Sequence, residues 1–352
     1  MTLHIIKIRT LIKVMSVFFH KFVSIVNNTY KYKKKMSVID LINAEKSTAF
    51  SFEILPPLKG TGIDRLLSDI ETLLPYNPKY INITTHRSEY VYMPEPNGMF
   101  CRKLTRRRPG TVAVAAAIKA KYGVTVVPHM LCSGYTPEET EYTLIDLQFL
   151  GITDLLVLRG DKAPHQKSFT PENGGHAHAI DLQLQINKYN QGIFFDGTEM
   201  DKLPPQFCYG VACYPEKHEE SPNAERDLYW LQKKVEAGAQ YAVTQMFFDN
   251  NKYFDFVEKA RNAGINVPII PGIKPLKKLT QLNVLPRTFK IDLPEELAAE
   301  VRKCKSDQDV AALGCEWTIK QCKELMEHGV PSIHFYSVGA VDSIAKIAKE
   351  IY

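Results

Sequence analysis

The stretch Asp154-Leu-Leu-Val-Leu-Arg-Gly-Asp161 is an apolar run of strand length that stops abruptly on two opposite charges and a glycine. A buried strand ends in this way where a polar group meets its carboxyl end. The same order recurs along the chain: an apolar run, then reactive side chains, then a helical pattern. In a (β/α)8 TIM barrel, strands alternate with helices and the chemistry collects at the carboxyl ends of the strands. We therefore predict an α/β fold of this class, built as a single domain.

From residue 36 onward the alternation predicts eight parallel strands. They lie near residues 49–55, 79–84, 124–129, 153–158, 207–213, 240–246, 267–271 and 332–336. A helix is predicted after each strand, near residues 63–74, 111–122, 136–150, 177–190, 222–237, 250–263, 276–286 and 340–351. Two extra helices, near 294–304 and 314–328, precede the last strand. The segments 86–110 and 190–206 are polar and rich in Pro or Gly, so we expect loops at the barrel mouth or rim.

An open doubly wound sheet is the alternative architecture. A dinucleotide-binding sheet of that kind carries G-x-G-x-x-G after its first strand. The nearest match is Gly60-Thr-Gly62, which lacks the third glycine, and the sequence contains no G-x-x-x-x-G-K-[ST]. We therefore expect a barrel mouth, and not a Gly-rich loop, to hold any nucleotide.

The net charge of +5 is unevenly distributed over the 352 residues. Residues 1–35 contain eight basic residues and no acidic one, so the rest of the chain has a net charge of −3. A mildly acidic body gives no support to nucleic-acid binding.

The basic leader, residues 1–35, has two interpretations. Its longest apolar stretch, Val14–Val26, is interrupted by His20 and Lys21 and is too short to span a bilayer. A basic and apolar segment of this kind can lie on a membrane surface. We favour the other interpretation, in which Met36 is the native start and the leader is translated upstream sequence, so that the catalytic barrel comprises residues 36–352.

The seven cysteines form no C-x-x-C pair, and an odd count scattered along the chain argues against a disulfide framework. We expect a reduced, cytoplasmic protein. His176-Ala-His178 is the best candidate for metal binding, but two histidines in a Gly-rich loop are usually only solvated, so we expect no metal site.

Polar side chains recur at the carboxyl ends of seven predicted strands. They are Glu53, Thr84, Thr85, His129, Arg159, Asp161, Tyr214, His218, Gln245 and Tyr336. A single such residue is usually a cap or a turn former. Because the pattern is repeated on so many strands, we interpret these side chains as a functional site.

Glu53 is the sharpest case. Alternation in its strand places Ser51, Glu53 and Leu55 on one face, and Phe50, Phe52 and Ile54 on the other. The bulky face would pack against helices, which leaves Glu53 pointing into the barrel. Loss of water there would raise the pKa of its carboxyl and make it a general acid at neutral pH. The alternative is a buried glutamate that is paired with a lysine or arginine.

A predicted helix carries Asp227, Trp230 and Lys234 on one face. A carboxylate, a large ring and a cation in this arrangement could hold a ribose, an aromatic base and a phosphate. An ordinary solvated helix face with one partly buried tryptophan would have the same pattern, so spacing alone leaves both interpretations open.

Eight short motifs, in order along the chain, resemble the methylenetetrahydrofolate reductase family. They are Phe-Glu-x-x-Pro-Pro at 52–57, Pro-His at 128–129, Leu-Arg-Gly-Asp at 158–161, Tyr-Pro-Glu-x-His at 214–218, Lys-x-x-Ala-Gly-Ala at 234–239, Thr-Gln-x-Phe-Phe-Asp at 244–249, Pro-Gly-Ile at 271–273 and His-Phe-Tyr at 334–336. The resemblance implies a (β/α)8 barrel with FAD as cofactor. It also implies the reaction: NADH or NADPH reduces FAD, which then passes a hydride to 5,10-methylenetetrahydrofolate and gives 5-methyltetrahydrofolate.

The resemblance also implies roles for particular positions. Glu53 matches the acid that protonates the folate, Asp161 matches the acid near the flavin, and Gln245 and Gln281 match folate contacts. Positions that match flavin contacts are Thr84, His129, Arg159, Gly160, Asp161, Ala179, Tyr214, His218, Asp227, Lys233 and Lys234. We add Thr85 and Trp230 to this set, because Thr85 follows the same strand as Thr84 and Trp230 lies on the flavin-binding helix face.

The chain departs from the family pattern at several positions. Trp230 replaces an asparagine, and Leu285 replaces an aromatic residue near the substrate. The arginine that commonly follows His-Phe-Tyr is absent, since the chain continues with Ser337-Val-Gly-Ala340. We expect Arg87, Arg102 or Lys274 to take over recognition of the folate tail.

Other interpretations remain open. A different flavin barrel, such as a proline-oxidising one, shares the architecture, and a barrel that binds folate or a partner without turnover would share much of the site. We expect small-molecule substrates and a homo-oligomer, and the choice between NADH and NADPH stays open. Because one helix follows the last strand, the chain is expected to correspond to the bacterial form with the catalytic domain only.

Overall fold

The predicted strands form a closed ring in a computed structural model, which describes residues 36–163, 166–203 and 205–352. The ring strands are β1 Ala49–Ile54, β2 Tyr80–Ile83, β5 Thr125–Leu131, β6 Asp154–Leu158, β7 Cys208–Cys213, β8 Tyr241–Thr244, β9 Ile269–Ile270, β10 Gly272–Ile273 and β11 Ser332–Tyr336. All of their pairings are parallel, and β1 pairs with both β2 and β11. β9 and β10 are one strand interrupted at Pro271, which has no N–H to donate. The ring therefore has eight strands, and the predicted barrel is confirmed.

Helices follow the strands as the alternation predicted. They are α1 Val38–Ala44, α2 Asp64–Leu73, α3 Thr111–Tyr122, α4 Pro137–Phe149, α5 Ala179–Asn190, α6 Ala224–Glu236, α7 Asn250–Asn262, α8 Gln281–Phe289, α9 Glu295–Lys303, α10 Asp307–Glu327 and α11 Val341–Ile351. Residues Ser37–Tyr352 form one compact unit. No helix in the described part of the chain is long and apolar enough to cross a membrane. The two interpretations of the leader concern residues outside the described part.

Two helix boundaries were predicted wrongly. α8 begins at Gln281 and not at 276. The Gln281 side-chain oxygen accepts the N–H groups of Lys277 and Lys278, which holds these residues outside the helix. α10 begins seven residues before Gly314. Gly314 therefore lies inside the helix. A glycine is required at this position because a Cβ would come within 2.1 Å of the Leu276 carbonyl oxygen.

The segment 86–110, which was predicted to be a loop, contains an antiparallel hairpin of β3 Glu89–Pro94 and β4 Phe100–Thr105. Its tip is a tight turn in which Gly98 has a positive φ of 80°. Tyr90, Tyr92, Phe100 and Leu104 on one face are more than half exposed. The segment 190–206 contains no strand beyond the isolated bridge between Ile193 and Glu199 in its described residues.

The barrel has an outer core and an inner core. Outward-facing residues such as Phe50, Phe52 and Ile54 pack against the helices, as the alternation predicted. The inner core is a separate cluster formed by Val38, Ile42, Ala49, Tyr80, Val127, Leu156, Tyr241, Val243 and Ile270. α1 supplies Val38 and Ile42 to it, and the Val38 N–H donates to the Asp154 carboxylate at 2.8 Å. Because Asp154 begins β6, α1 covers the amino-terminal end of the barrel and leaves the carboxyl end open for a site.

Candidate active site

Glu53 lies near the carboxyl end of β1, on the face opposite the outward-packed Phe52 and Ile54. Its side chain is only 13% exposed. Burial removes water from the carboxylate and raises the pKa of Glu53 to about 7, an effect that the Lys274 cation partly offsets. A carboxyl with this pKa holds a proton near neutral pH and can act as a general acid.

Two buried side chains lie beside the Glu53 carboxyl. The Nε2 atom of His129 is 3.6 Å from Oε2 of Glu53, and Nδ2 of Asn82 is 3.3 Å from the same Nε2 atom. Burial lowers the pKa of His129 to about 3, and the nearby His86 also contributes. His129 is therefore neutral at physiological pH and forms no charged pair with Glu53.

Lys274 and Tyr336 complete the surroundings of Glu53. The Tyr336 hydroxyl donates to the Thr244 carbonyl oxygen at 2.6 Å, and the Lys274 ammonium donates to the carbonyl oxygen of Val338 at 3.1 Å. Burial lowers the pKa of Lys274, while the charge of Glu53 acts in the opposite direction. Glu53 and Lys274 are thus an acid and a cation that are both partly stripped of water.

The residues Arg159, Gly160 and Asp161 follow β6, as the sequence predicted. The Arg159 guanidinium forms a two-pronged ion pair with Glu220, with Nη2 at 3.0 Å from Oε1, and it lies 4.8 Å from the centre of the Phe169 ring. Gly160 has a φ of +81°, which favours glycine. The Asp161 side chain is exposed.

The loop after β7 is organised by Asp227 on α6. One oxygen of the Asp227 carboxylate accepts a hydrogen bond from the backbone N–H of His218 at 3.0 Å, and the other accepts one from the Ser221 hydroxyl at 3.0 Å. The rings of Tyr214 and His218 meet edge to face at 4.7 Å. Burial lowers the pKa of His218, and the Arg159 cation adds to this effect. Asp227 therefore shapes the loop that carries Tyr214 and His218.

Trp230 presents an aromatic surface on the outside of α6. It is 38% exposed, and its ring stacks on His178 at 6.0 Å with an interplanar angle of 16°. The guanidinium of Arg226 lies 4.8 Å from its centre. Ala179 is the first residue of α5, so the backbone N–H groups at that helix end lie next to this aromatic pair.

The two lysines of α6 are engaged within the protein. Lys234 donates to the Ala212 carbonyl oxygen in β7 at 2.6 Å, and burial lowers its pKa. Lys233 pairs with Glu236 on the surface at 2.5 Å. The helix face of Asp227, Trp230 and Lys234 is thus present, but only the Trp230 side chain is open to a ligand.

The two predicted threonines lie at the end of β2. The Thr85 hydroxyl donates to the carbonyl oxygen of His129, and the Thr84 hydroxyl lies 3.4 Å from Nε2 of His86. Thr85 therefore fixes the backbone of the strand that carries His129.

The two predicted glutamines are held by backbone groups. The Gln245 side-chain oxygen accepts the Met246 N–H at 3.0 Å, and the Gln281 side-chain oxygen accepts the N–H groups of Lys277 and Lys278 just before α8.

Sequence reasoning missed Asn82 and Glu220. Asn82 could have been found, because alternation in β2 places Tyr80, Asn82 and Thr84 on the inner face, and an asparagine in a buried strand is unusual. Glu220 gave no such signal, since its pairing with Arg159 depends on the path of the loop after β7.

Comparison with known proteins finds similar chains along nearly the whole described length. The chain is 31% identical to methylenetetrahydrofolate reductase (NADH) 1 of Arabidopsis thaliana over 317 residues, which cover 86% of this chain and 48% of the relative. It is 29% identical to 5,10-methylenetetrahydrofolate reductase of Escherichia coli over 293 residues, which cover 83% and 86% of the two chains. The chain thus spans about half the length of the plant relative.

Among solved structures, an uncharacterized protein from Clostridium thermocellum that binds two copies of 5-methyl-5,6,7,8-tetrahydrofolic acid has the same fold, with a TM-score of 0.52 at 15% identity. The match covers 89% of this chain and 98% of that one. A profile of the methylenetetrahydrofolate reductase family matches residues 38–352, which is nearly all of the described chain. The chain belongs to the methylenetetrahydrofolate reductase family.

Proposed function

We propose that the protein reduces 5,10-methylenetetrahydrofolate to 5-methyltetrahydrofolate with NADH or NADPH, through bound FAD. The observation that carries the proposal is the Glu53 carboxyl, which is buried at the barrel mouth with a pKa of about 7 and a neutral His129 beside it. Opening of the five-membered ring of this substrate requires a proton at a nitrogen, and a carboxyl of this kind supplies one near neutral pH.

The residues around the mouth fit FAD. A dinucleotide needs a cation for its pyrophosphate, an aromatic surface for adenine and polar groups around its flavin ring. The chain supplies Arg159, the open face of Trp230 with His178, and Thr84, respectively. When bound, FAD would accept a hydride from the nicotinamide nucleotide and deliver it to the folate.

Each side chain at the mouth then has a physical task. Arg159 would exchange its exposed partner Glu220 for a phosphate, because both are anions that fit a planar guanidinium. Trp230 would stack on adenine in place of the hydrogen bond of the family asparagine. The exposed carboxylate of Asp161 would stabilise positive charge that develops on the folate as its ring opens. Gln245 and Gln281 would orient the pterin through their amide nitrogens.

The finer predictions are part of the same proposal. Curated relatives are named for NADH in Arabidopsis thaliana and for NADPH in Caenorhabditis elegans, so either nucleotide is a candidate here. We propose a homo-oligomer in the cytoplasm. Cys101, Cys132, Cys213, Cys304, Cys315 and Cys322 are free thiols, which supports a reducing compartment.

The test is the visible spectrum of the purified protein. We expect a yellow protein whose flavin absorption is bleached by NADH or NADPH without air and is restored by 5,10-methylenetetrahydrofolate. Restoration by oxygen alone, with no response to the folate, would point to another flavin barrel. A colourless protein that takes up no added FAD would contradict the proposal.

A further inference from the structure

Asn82 is a fully buried polar residue at the centre of the barrel mouth. The β1–β2 register pairs it with Glu53, and the β2–β5 register pairs it with Val127, two residues before His129. Its Nδ2 atom lies 3.3 Å from Nε2 of His129. Its Oδ1 atom is buried with no hydrogen-bond partner among the described residues. A buried amide that is kept half-satisfied costs free energy and therefore requires an explanation.

The geometry restricts where the proton of His129 can lie. An amide nitrogen is only a donor, so a hydrogen bond from Nδ2 of Asn82 requires that Nε2 of His129 be an acceptor. The proton of the neutral imidazole then lies on Nδ1. Glu53 Oε2 is 3.6 Å from the same Nε2 atom, so the carboxyl faces a lone pair and not an N–H group.

We propose that Asn82 is a positioning residue that holds His129 in the Nδ1–H tautomer, so that the Glu53 carboxyl meets an acceptor that favours its protonated form. A carboxylate at this position would receive no hydrogen bond from His129 and would face the negative end of the ring dipole, which disfavours the ionised form. Asn82 in this way keeps the proton on Glu53 until a substrate takes it. The catalytic consequence rests on the proposed function, but the tautomer itself does not.

The other titratable groups around the pair act in known directions. The Lys274 cation lowers the pKa of Glu53, and the charge of Glu53 raises the pKa of Tyr336, which burial raises as well. His129 also faces His86 and His334, and burial lowers the pKa of both. Among these groups, Lys274 alone stabilises the ionised form of Glu53. Burial and the orientation of His129 both stabilise the protonated form.

The first experiment reads the tautomer directly. In the full chain labelled with ¹⁵N-histidine, the His129 signals can be assigned by their loss in His129→Gln. We expect a protonated Nδ1 and an unprotonated Nε2 at pH 7. An Nε2–H tautomer in the wild-type protein would overturn the proposal, because Asn82 would then present its oxygen to the ring.

The second experiment follows the Glu53 proton through the infrared band of its protonated carboxyl, which is identified by its absence in Glu53→Gln. In Asn82→Leu, His129 is free to turn an N–H toward Glu53, and we expect the titration midpoint of Glu53 to fall by at least about one pH unit.

Ser51→Ala is the matched control. The Ser51 hydroxyl contacts Nδ1 of His334 at 3.0 Å and is buried on the same face of β1, so its loss should leave the midpoint unchanged. An unchanged midpoint in folded Asn82→Leu would contradict the proposal.

Kinetics then separate this inference from the proposed function. Asn82→Leu should reduce the folate half-reaction about tenfold at pH 8, because one unit of pKa corresponds to a tenfold change in the protonated fraction. At pH 6 that half-reaction should fall only about twofold, because about half of the Glu53 carboxyl stays protonated in the variant. Reduction of the flavin by NADH should be unaffected at both pH values. A protein with the expected tautomer but no folate reaction would refute the function alone, and a folate reaction with the opposite tautomer would refute the inference alone.

Discussion

The carboxyl of Glu53 illustrates how a single buried group can set the pH range of a reaction. Its pKa is raised to about 7 because burial removes water from the carboxylate. We expect Glu53→Gln to slow the folate half-reaction by about 10²–10⁴-fold, since a general acid contributes a factor of that size. Flavin reduction by NADH should stay nearly intact. In the wild-type protein the folate half-reaction should decline as the pH rises above about 7, because the protonated acid is lost. Stopped-flow measurement of the two half-reactions checks this, and an equal loss in both would show that Glu53 is structural.

The same residue should destabilise the fold at alkaline pH. The folded pKa of Glu53, about 7, is above its ordinary value of 4.5, so stability falls as the pH rises from 4.5 and the loss is complete above 7. Glutamine does not ionise. Glu53→Gln should therefore have a free energy of unfolding about 3 kcal/mol higher than wild type at pH 8.5, and less than about 1 kcal/mol higher at pH 5. Urea unfolding at the two pH values measures the difference. The exposed Glu296→Gln should show no such pH dependence, and the same behaviour in both variants would contradict the assignment.

At the scale of elements, the strands and most helices were predictable, whereas the turns between them were less so. The β1 pattern Phe50, Phe52, Ile54 identified its outer face because side chains alternate along a strand. The α10 start was predicted seven residues too late, at Gly314, which lies inside the helix. Only the close approach of the Leu276 carbonyl explains a glycine inside that helix. The hairpin was missed because its face is exposed and carries no buried alternation.

The turn after β6 gives a prediction about a single element. Gly160 has a φ of +81°, and a Cβ there would lie 2.9 Å from Cβ of Ser133. Gly264 has a nearly equal φ of +80° with open space around it. Gly264→Ala should cost only the strain of the backbone, about 1–2 kcal/mol. Gly160→Ala should cost about 2–4 kcal/mol, because overpacking is added to the strain.

Urea unfolding of the two variants measures these costs, and titration with FAD gives a second readout. We expect only Gly160→Ala to weaken FAD binding, since its turn carries Arg159 and Asp161. Equal losses of stability in the two alanine variants would show that Ser133 yields freely and that the turn is not closely packed.

At the scale of the whole molecule, the order of strands and helices was sufficient to predict the barrel. It was not sufficient to predict which side chains contact one another inside the barrel. The inner polar groups come from different strands. Glu53, Asn82 and His129 are separated by tens of residues, and only the register between β1, β2 and β5 brings them together. The sequence therefore predicted that Glu53 and His129 lie at strand ends, and it could not predict how they contact one another or Asn82. The short α1 was missed for a related reason, because a seven-residue helix has too few turns to show a periodic pattern.

α1 gives the last prediction, which concerns the stability of the whole barrel. Ile42 is 4% exposed and packs in the inner core, which also contains Tyr80 and Tyr241. Ile42→Ala should lower the free energy of unfolding by about 2–4 kcal/mol, because it leaves a cavity that the closed ring cannot collapse to fill. The exposed Asn43→Ala on the same helix is the control and should change it by less than about 0.5 kcal/mol. Since the inner core joins six of the eight ring strands, circular dichroism and tryptophan fluorescence should report one shared transition in Ile42→Ala. If α1 were a dispensable cap, the two variants would unfold at the same urea concentration.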